Sequence, residues 1–459
     1  MSGEHLATRP TPGTPRSYEF PPFSRSRLAN GTEVRVVDLP GRPLVSLVVA
    51  VRRGATDEPA EIAGVSALAA RALSEGTERH DAIALVEASE RLGAQLHASA
   101  GWDSTTGGVE VLADRFAPAV ELLAEMMLTP TFPTSEVERL RDQRMNEVLQ
   151  AYADPRRRAE IAFDEVIYTP DSPYRRLLGG SRSTVPGLDS AALRVRHASW
   201  IDPGRTTIVV GGDLAGTDVL GILEPLFGGI SPVAPVPAPA PVIAASAVDR
   251  PLVRVVHRPG AVQTEVRVGH VGLARRIPDF HAVSVMSAIL GGLFGSRLNM
   301  RLREEKGYTY GAHAGFDLRA HAGPFGARAA VDTDNTVPAV IDLLGELRRM
   351  RDTDVTPDEL RAAKDYLIGV FPLRFETPGP VVGALAGLAM NELPDDELAR
   401  YRPGIEAVTV ADVRSAAETH IHVDRLAIVL VGDADRIATD VEAAGFGDYD
   451  VVAEDLAPG

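Results

Sequence analysis

The chain has 459 residues, of which 45% are hydrophobic and 24% are charged, with a formal net charge of −16 and no cysteine. This length is too great for one ordinary hydrophobic core and indicates two or three domains of a soluble globular protein. The negative charge argues against nucleic acid and anionic membranes as partners, because both carry charge of the same sign. The absence of cysteine excludes disulfides and thiolate metal sites.

The N-terminal segment, residues 1–20, begins with a stretch rich in Pro, Thr and Gly and contains no apolar h-region. This composition predicts a disordered lead-in and not a signal peptide. No stretch approaches 18 uninterrupted apolar residues, so no membrane span is predicted. We therefore expect a cytoplasmic protein.

Strands and helices are predicted in a similar order in the two parts of the chain, from β-branched apolar runs and from helically spaced apolar positions. In the first part, the predicted strands are residues 32–37, 44–51, 94–100, 105–111 and 205–210, and the predicted helices are 57–75, 82–92, 116–127, 134–150 and 156–167. In the second part, the predicted strands are residues 253–258, 264–270, 308–316, 325–331 and 427–431, and the predicted helices are 280–290, 336–351 and 357–371.

An internal repeat links the two parts. Residues 205–213 (RTTIVVGGD) lie 220 positions before residues 425–433 (RLAIVLVGD), and five of the nine residues are identical. A duplicated α+β unit of roughly 200 residues is the simplest explanation. Because strands and helices do not alternate strictly, a parallel Rossmann or barrel architecture is disfavoured.

A proline-rich stretch separates the two units, with Val and Ala between its prolines, and this pattern favours an extended spacer. Its prolines are Pro232, Pro235, Pro237, Pro239 and Pro241. We therefore divide the chain into a first domain at residues 21–230, a linker at 231–250 and a second domain at 251–450.

A glycine-rich turn in the second domain opens a short charged helix. The glycines of this turn are Gly291, Gly292 and Gly295. Gly307 lies where a helix commonly ends in the left-handed conformation. Arg303 and Tyr310 therefore leave the two sides of one helix-to-strand corner, and together they are suited to hold a carbonyl oxygen or a developing oxyanion. The alternative is a surface charge beside a half-buried packing residue.

This corner resembles the Arg/Tyr segment in the C-terminal domain of the M16 (pitrilysin-like) zinc metallopeptidases, particularly the short two-domain M16B members. The family pattern runs through small residues and Ser-Arg-Leu into Leu-Arg-Glu, Lys, Gly and Tyr, and it stands here between residues 291 and 310. Gln263 also resembles a residue of the family's second domain. The resemblance implies two homologous domains, each a mostly antiparallel sheet with helices packed on one face. It also implies that Gln263 and the three glycines contact a substrate peptide.

The resemblance further implies where a zinc site belongs in the first domain. M16 peptidases carry His-x-x-Glu-His on one helix, and a third ligand, a Glu, follows about 76 residues later. Here Ala67 and Arg71 stand at the positions of the two histidines and Ala70 at the position of the catalytic Glu, so only Glu147 is retained. Alanine offers no lone pair, and the fixed charge of Arg71 repels Zn²⁺. Glu147 is left either as a weak isolated ligand or as an ion-pair partner of Arg71, and we expect this chain to hold no metal.

Other catalytic signatures are weaker. His420 and His422 are the only close histidine pair and would share one face of a strand, but no nearby pattern completes a metal site. We interpret them as structural or surface residues. The glycine-rich turn is not followed by Lys-Ser/Thr, and Gly-x-Ser-x-Gly is absent, so neither a phosphate loop nor a serine hydrolase is predicted.

Two-chain M16B enzymes divide the catalytic groups between their subunits, and this sequence has the Arg/Tyr pair without the zinc motif. The resemblance therefore implies a non-catalytic subunit of a heterodimeric zinc endopeptidase. Arg303 and Tyr310 would bind the substrate peptide and stabilise the tetrahedral intermediate, and zinc would be bound by the partner subunit. The expected partners are that zinc-bearing subunit and a peptide. The alternative is a non-enzymatic peptide-binding or structural subunit, and a self-sufficient metallopeptidase is the weakest hypothesis.

Overall fold

The computed structural model describes residue 13 and residues 16–200, 202–231 and 244–453. Most of the predicted lead-in and the prolines of the predicted spacer, residues 232–241, lie outside these ranges. None of the helices in the described ranges combines the length and the apolar content needed to cross a membrane.

Twelve strands and fourteen α-helices are formed in these ranges, and short 3₁₀ and π turns join some of them. The strands of the first half are β1 (Ser24–Arg27), β2 (Glu33–Asp38), β3 (Leu44–Val51), β4 (Gln95–Ala100), β5 (Thr105–Leu112) and β6 (Thr206–Gly212). Its helices are α1 (Val65–Ala72), α2 (Ala82–Leu92), α3 (Phe116–Leu128), α4 (Thr134–Ala153), α5 (Pro155–Ile167), α6 (Ser190–Ala198) and α7 (Val219–Phe227).

The second half contains the same number of strands and helices. Its strands are β7 (Leu252–His257), β8 (Gln263–Val271), β9 (Ala312–Phe316), β10 (Pro324–Asp332), β11 (Ala427–Gly432) and β12 (Asp448–Ala453). Its helices are α8 (Phe280–Ser287), α9 (Thr336–Asp352), α10 (Pro357–Val370), α11 (Pro378–Met390), α12 (Glu397–Ala407), α13 (Val410–His420) and α14 (Ala434–Ala443).

The strands build two six-stranded sheets with matching topology. The first sheet has the order β1-β2-β6-β3-β5-β4, and the second has the order β12-β7-β11-β8-β10-β9. In each sheet the second and third strands are parallel, namely β2 with β6 and β7 with β11. From the third strand to the sixth, each strand is antiparallel to the next in both sheets. Only the outermost strands differ, because β1 is antiparallel to β2 whereas β12 is parallel to β7.

This arrangement confirms the predicted α+β class with two homologous units. The repeated segments at 205–213 and 425–433 contain β6 and β11, which occupy the same place in their sheets. Each sheet packs one face against helices of its own half, as predicted. In the first half, Leu47 of β3 shares a buried cluster with Leu123 of α3, and in the second half, Val268 of β8 shares one with Leu343 of α9.

The opposite face of each sheet is covered by a helix from the other half. Helix α11 packs on β3 and β6, where Val382 and Leu385 join a buried cluster with Val209. Helix α5 packs on β8 and β11, where Phe163 joins a cluster with Val429. Each half therefore completes the hydrophobic core of the other.

Two predicted boundaries change in the structure. The lead-in predicted for residues 1–20 is ordered at its end, because the ring of Tyr18 lies 6.0 Å from that of Phe371 and 6.4 Å from that of Phe375. The helix predicted for residues 57–75 is shortened to α1, because Pro59 adopts an extended conformation and Gly64 a left-handed one (φ +98°). Strands β1 and β12 and helices α6, α7 and α11 to α14 have no counterpart in the sequence prediction.

Candidate functional site

The predicted zinc positions lie on α1, a helix whose start is held by a buried carboxylate. Glu58 is 6% exposed, and its two carboxylate oxygens accept hydrogen bonds from the backbone N–H groups of Gly64 (2.8 Å) and Ser66 (2.6 Å). Burial raises the pKa of Glu58, and the amides at the helix N-terminus favour its charged form. Helix α1 packs against α4 and α6, and the contact with α4 brings Glu147 next to Arg71.

Arg71 and Glu147 form an ion pair at the predicted metal position. The Nη1 atom of Arg71 lies 2.7 Å from Oε1 of Glu147, and its Nη2 atom donates to Oε1 of Gln143 at 3.1 Å. The second oxygen of Glu147 accepts from Nη1 of Arg144 at 3.0 Å, and Nε of Arg144 donates to the carbonyl of Gly179. Burial raises the pKa of Glu147, but the two guanidinium groups outweigh this effect and the net pKa is lowered. Both carboxylate oxygens therefore bind arginine.

These residues do not fit zinc. Ala67 and Ala70 carry no ligand atom, and Ala70 is 2% exposed, so its methyl group is packed in the core of the first half. The guanidinium groups of Arg71 and Arg144 bind both oxygens of Glu147, and their positive charges repel a metal cation at this position. Of the two fates predicted for Glu147, the structure shows the ion pair with Arg71.

One other group of potential metal ligands lies close together in the described ranges, formed by His257, Asp433 and Asp435. Its imidazole is already used, because Nδ1 of His257 accepts a hydrogen bond from the backbone N–H of Ala434 at 3.1 Å. A neutral ring that accepts at Nδ1 carries its proton at Nε2, so it has no lone pair left for a metal. We therefore assign no metal to this group.

The predicted histidine pair does not converge on one ligand site. His420 is the last residue of α13, and its Nε2 atom lies 2.7 Å from Oδ2 of Asp279. The strand geometry expected for the pair is wrong, because helix α13 extends through His420. His422 instead contacts His270, whose Nδ1 donates to the carbonyl of Val271 and whose Nε2 accepts from the N–H of His422. Only a neutral ring satisfies both bonds, and burial lowers the pKa of His270 to about 4.

The predicted Arg/Tyr corner is built from two π-helical turns, Ala288–Gly292 and Asn299–Glu305. Single π turns in proteins often occur at functional sites. Gly291 is buried, and a Cβ atom at this position would collide with the backbone nitrogen of Ala314 in β9. Gly307 follows the second turn, has the predicted left-handed conformation (φ +65°) and donates its N–H to the carbonyl of Arg303 at 3.0 Å. The small residue at 291 thus lets the first π turn lie directly on β9.

The side chains of Arg303 and Tyr310 both reach solvent. Arg303 is 35% exposed, and its guanidinium carbon lies 4.4 Å from the centre of the Phe294 ring, within reach of a cation–π interaction. Tyr310 is 94% exposed, and its hydroxyl has no hydrogen-bond partner in the part of the chain that the structure describes. The strand predicted to begin at residue 308 begins only at Ala312, so Tyr310 lies in the connection before β9 and not within the strand.

Gln263 lies at the same end of the second sheet as this corner. It is the first residue of β8 and pairs with Asp332, while Ala312 at the start of β9 pairs with Ala329 three residues earlier in β10. The two strand starts therefore lie on either side of β10 and three residues apart along it, roughly 14 Å from each other. Gly292, the last residue of the first π turn, and Gly295, between the two π turns, are exposed, and Gly291 is the buried member of the predicted set.

Two residues of this corner were missed in the sequence. Phe294 is 70% exposed and supports the guanidinium of Arg303. An aromatic residue inside a glycine-rich turn has few neighbours to bury it, so the sequence could have predicted that Phe294 is exposed. Arg297 is 6% exposed and binds Glu359 of α10 through two hydrogen bonds of 2.6 and 3.0 Å, which anchor the start of the second π turn.

Comparisons with known sequences match both halves of the chain. A family model described as "Insulinase (Peptidase family M16)" matches residues 34–169, which include Arg71 and Glu147. A second model, "Peptidase M16 inactive domain", matches residues 187–367, which include Arg303 and Tyr310. Together the two models cover more than half of the chain.

Curated relatives align over most of their length. An uncharacterized zinc protease of Mycobacterium tuberculosis is 26% identical over 414 residues, which cover 89% of this chain and 92% of the relative. A protein of Helicobacter pylori named as a non-peptidase homolog is 21% identical and covers 85% of this chain and 89% of its own length.

Solved structures share the complete two-unit architecture. A peptidase M16 inactive domain from Pseudomonas fluorescens has a TM-score of 0.83 and 26% identity, covering 90% of this chain and 98% of the other. A chain of the Complex III2 from Candida albicans shares the fold with a TM-score of 0.76 at 15% identity, covering 90% and 97%. With its two matched domains, its duplicated sheets and these relatives, the chain belongs to the M16 peptidase family.

Proposed function

We propose that this chain is the non-catalytic subunit of a heterodimeric M16 zinc endopeptidase, to which it contributes Arg303 and Tyr310. The observation that carries the proposal is a contrast between the two halves. At the zinc position, the side chains are engaged with one another in the ion pair of Arg71 and Glu147. At the Arg/Tyr corner, a cation and a phenol are held at the surface, and the phenol has no partner in the described residues.

In this proposal, Arg303 and Tyr310 act on a substrate bound at the metal site of the partner subunit. The guanidinium of Arg303 donates to the carbonyl oxygen of the substrate, and the hydroxyl of Tyr310 donates to the same oxygen as negative charge develops on it. Phe294 limits the positions available to the guanidinium. In this proposal both side chains act as hydrogen-bond donors, and the general base belongs to the partner subunit.

The test is reconstitution with an M16 chain of similar length that carries His-x-x-Glu-His. We expect peptide hydrolysis from the mixture and from neither chain alone. Arg303→Ala is expected to lower kcat by about a hundredfold, and Tyr310→Phe, which removes only the hydroxyl, by about tenfold. Arg348→Ala is the matched control, because Arg348 is an exposed arginine of α9 that forms no side-chain hydrogen bond or ion pair in the described residues.

Complex formation is measured in parallel by analytical ultracentrifugation, so that lost assembly is distinguished from lost chemistry. Chelator-sensitive hydrolysis by this chain alone would refute the non-catalytic role. Full activity of mixtures that contain Arg303→Ala or Tyr310→Phe would refute the role of the pair.

A non-enzymatic peptide-binding or structural subunit is the second candidate. It is favoured by the name of the Helicobacter pylori relative, a non-peptidase homolog, and by the replacement of all three residues of the zinc motif on α1. The same experiment separates the two functions. A complex that binds peptide, measured by fluorescence anisotropy, but leaves it intact supports this second candidate.

A further inference from the structure

A pocket of about 350 Å³ lies where the outer edge of the first sheet meets the end of α11. Five arginines line it, contributed by β1, β2, the end of β3 and the segment before β6. They are Arg25, Arg27, Arg35, Arg52 and Arg205, and together with Glu33, Glu392, Thr206 and Thr207 they define what we call the arginine pocket. Its five arginines belong to the first half of the chain, which does not contain the Arg/Tyr corner, whereas Glu392 comes from the second half.

The sheet register places these arginines directly opposite one another. Arg25 of β1 pairs with Arg35 of β2 in the antiparallel ladder. Val51 of β3 pairs with Thr206 of β6, and the next residues beyond this pair are Arg52 and Arg205. They are also adjacent, because the N–H of Arg52 donates to the carbonyl of Arg205 at 2.9 Å. Like charges that face each other across strands destabilise a sheet. Two such pairs around one pocket need a compensating negative charge.

The carboxylates of the pocket compensate only part of this charge. Glu33 is shared, with Nε of Arg35 at 2.7 Å and Nη2 of Arg25 at 3.2 Å from the same oxygen. Glu392 is likewise shared, because it binds Arg52 and also lies 3.7 Å from Arg276. A third carboxylate, Asp395, lies 3.3 Å from Nη2 of Arg25, so five guanidinium groups against three carboxylates leave a surplus of two positive charges around the pocket.

Two of the arginines form no ion pair in the described residues, although Arg27 faces Glu33 across the β1–β2 ladder. Nη1 of Arg27 donates to the carbonyl of Gly31 at 3.0 Å, and no carboxylate of the described chain lies within ion-pair distance of Arg27 or Arg205. In a protein whose net charge is −16, arginines left without acidic partners are those most available to an external anion.

The floor of the pocket is rigid. Arg35 is 2% exposed and is held by Glu33 and by a hydrogen bond of 3.2 Å from its Nη1 atom to the carbonyl of Leu385 in α11. Glu392 follows α11 with a left-handed backbone (φ +51°), a conformation that costs energy in a residue other than glycine and is often retained at functional positions. Both halves of the chain therefore contribute to the wall.

We propose that the arginine pocket binds a compact anion with several negative charges, of the class that includes pyrophosphate and small polycarboxylates. Arg27 and Arg205 contact the anion directly, and Arg52 exchanges its ion pair with Glu392 for one with the anion. The guanidinium fork matches the paired oxygens of phosphate and carboxylate groups. The small volume and the negative charge of the whole protein exclude an extended polyanion such as RNA. This proposal does not depend on the proposed peptidase function.

The test is isothermal titration calorimetry of the full chain at low ionic strength and without divalent metal, with sodium pyrophosphate in one arm and citrate in the other. We expect saturable binding of pyrophosphate at one site per chain that weakens as salt is added. Binding of citrate as well would assign the pocket to small polyanions in general, and binding of pyrophosphate alone would assign it to phosphate compounds.

The double variant R27Q/R205Q is expected to bind pyrophosphate at least about a hundredfold more weakly, since each charge-assisted contact is worth about tenfold. Arg348→Gln, the same change at an exposed arginine of α9, is expected to bind as the unsubstituted chain does. Circular dichroism and the Tm without ligand establish that each variant is folded, and the single variant Arg27→Gln replaces any double variant that is not. Absence of saturable binding to the unsubstituted chain, or equal affinity in R27Q/R205Q, would overturn the proposal.

Discussion

Leu385→Ala tests whether the core of the first half depends on a helix from the second. Leu385 lies on α11 with no exposed surface, in the cluster that this helix forms with the first sheet. Truncation of a fully buried leucine costs about 3 kcal/mol, because apolar contacts are lost and a cavity remains. With an m-value of about 3 kcal/mol/M, the urea midpoint falls by about 1 M.

The assay follows tryptophan fluorescence and far-UV circular dichroism through the same urea titration. The chain has two tryptophans, Trp102 and Trp200. Trp200 is buried in the core of the first half and reports on that half, whereas Trp102 also contacts Arg319 of the second half. We expect Leu385→Ala to lower the fluorescence midpoint although residue 385 lies in the second half. An unchanged fluorescence midpoint would refute the exchange of helices.

Leu347→Ala is the matched control for this experiment. Leu347 is also fully buried, but it lies on α9 in the second half's own core. The size of its effect on fluorescence measures how far the two halves unfold together, and an equal shift of both probes indicates one cooperative unit.

Three further predictions concern other parts of the chain. Gly291→Ala is expected to lower the free energy of unfolding by about 1–3 kcal/mol, and with it the Tm, because the new methyl group meets the backbone of β9. Gly295→Ala has open space around it and is expected to leave the Tm unchanged. Equal Tm values for the two variants would contradict the packing of the π turn. The double variant Ala67→His with Arg71→His is expected to bind zinc through the two new histidines and Glu147 of α4, whereas Ala67→His alone is not expected to bind it. Equilibrium dialysis measures the bound zinc, and zinc retained by the single variant would place the metal elsewhere. In the folded state His270 stays neutral down to about pH 4, whereas in the unfolded chain it takes up a proton below about pH 6.5. The free energy of unfolding is therefore expected to fall by about 3 kcal/mol as the pH decreases from about 6.5 to about 4. Urea titrations of His270→Gln should show a shallower pH dependence, and an identical dependence would mean that another group is responsible.

Much of the fold follows from local patterns in the sequence. The repeat at 205–213 and 425–433 predicted the duplication because equivalent central strands are buried on both faces and tolerate few residue types. The proximity of Glu147 to Arg71 was anticipated from the family resemblance, which places a third ligand about 76 residues after the motif on α1 and left open whether Glu147 would pair with Arg71.

The partners of each element were less predictable than the elements themselves. An apolar stripe shows that α5 must be buried, but it does not show that the sheet it covers lies in the other half. The π turns of the Arg/Tyr corner escaped prediction because their hydrogen bonds are shifted by one residue without a change in composition. The arginine pocket was invisible for a similar reason, since its five arginines lie in four separate segments that only the sheet register brings together.

The exchange of α5 and α11 also sets an order of events during protein synthesis. The last strand of the first sheet ends at Gly212, but the helix that covers its second face begins at Pro378. At about 5–20 residues per second, a ribosome needs roughly 10 to 30 s to make the intervening chain. During that time Val37, Ala50 and Val209 have no α11 to cover them, so any first sheet that has formed exposes an apolar face that is prone to aggregation. The first half therefore reaches its final stability only after most of the second half has been translated.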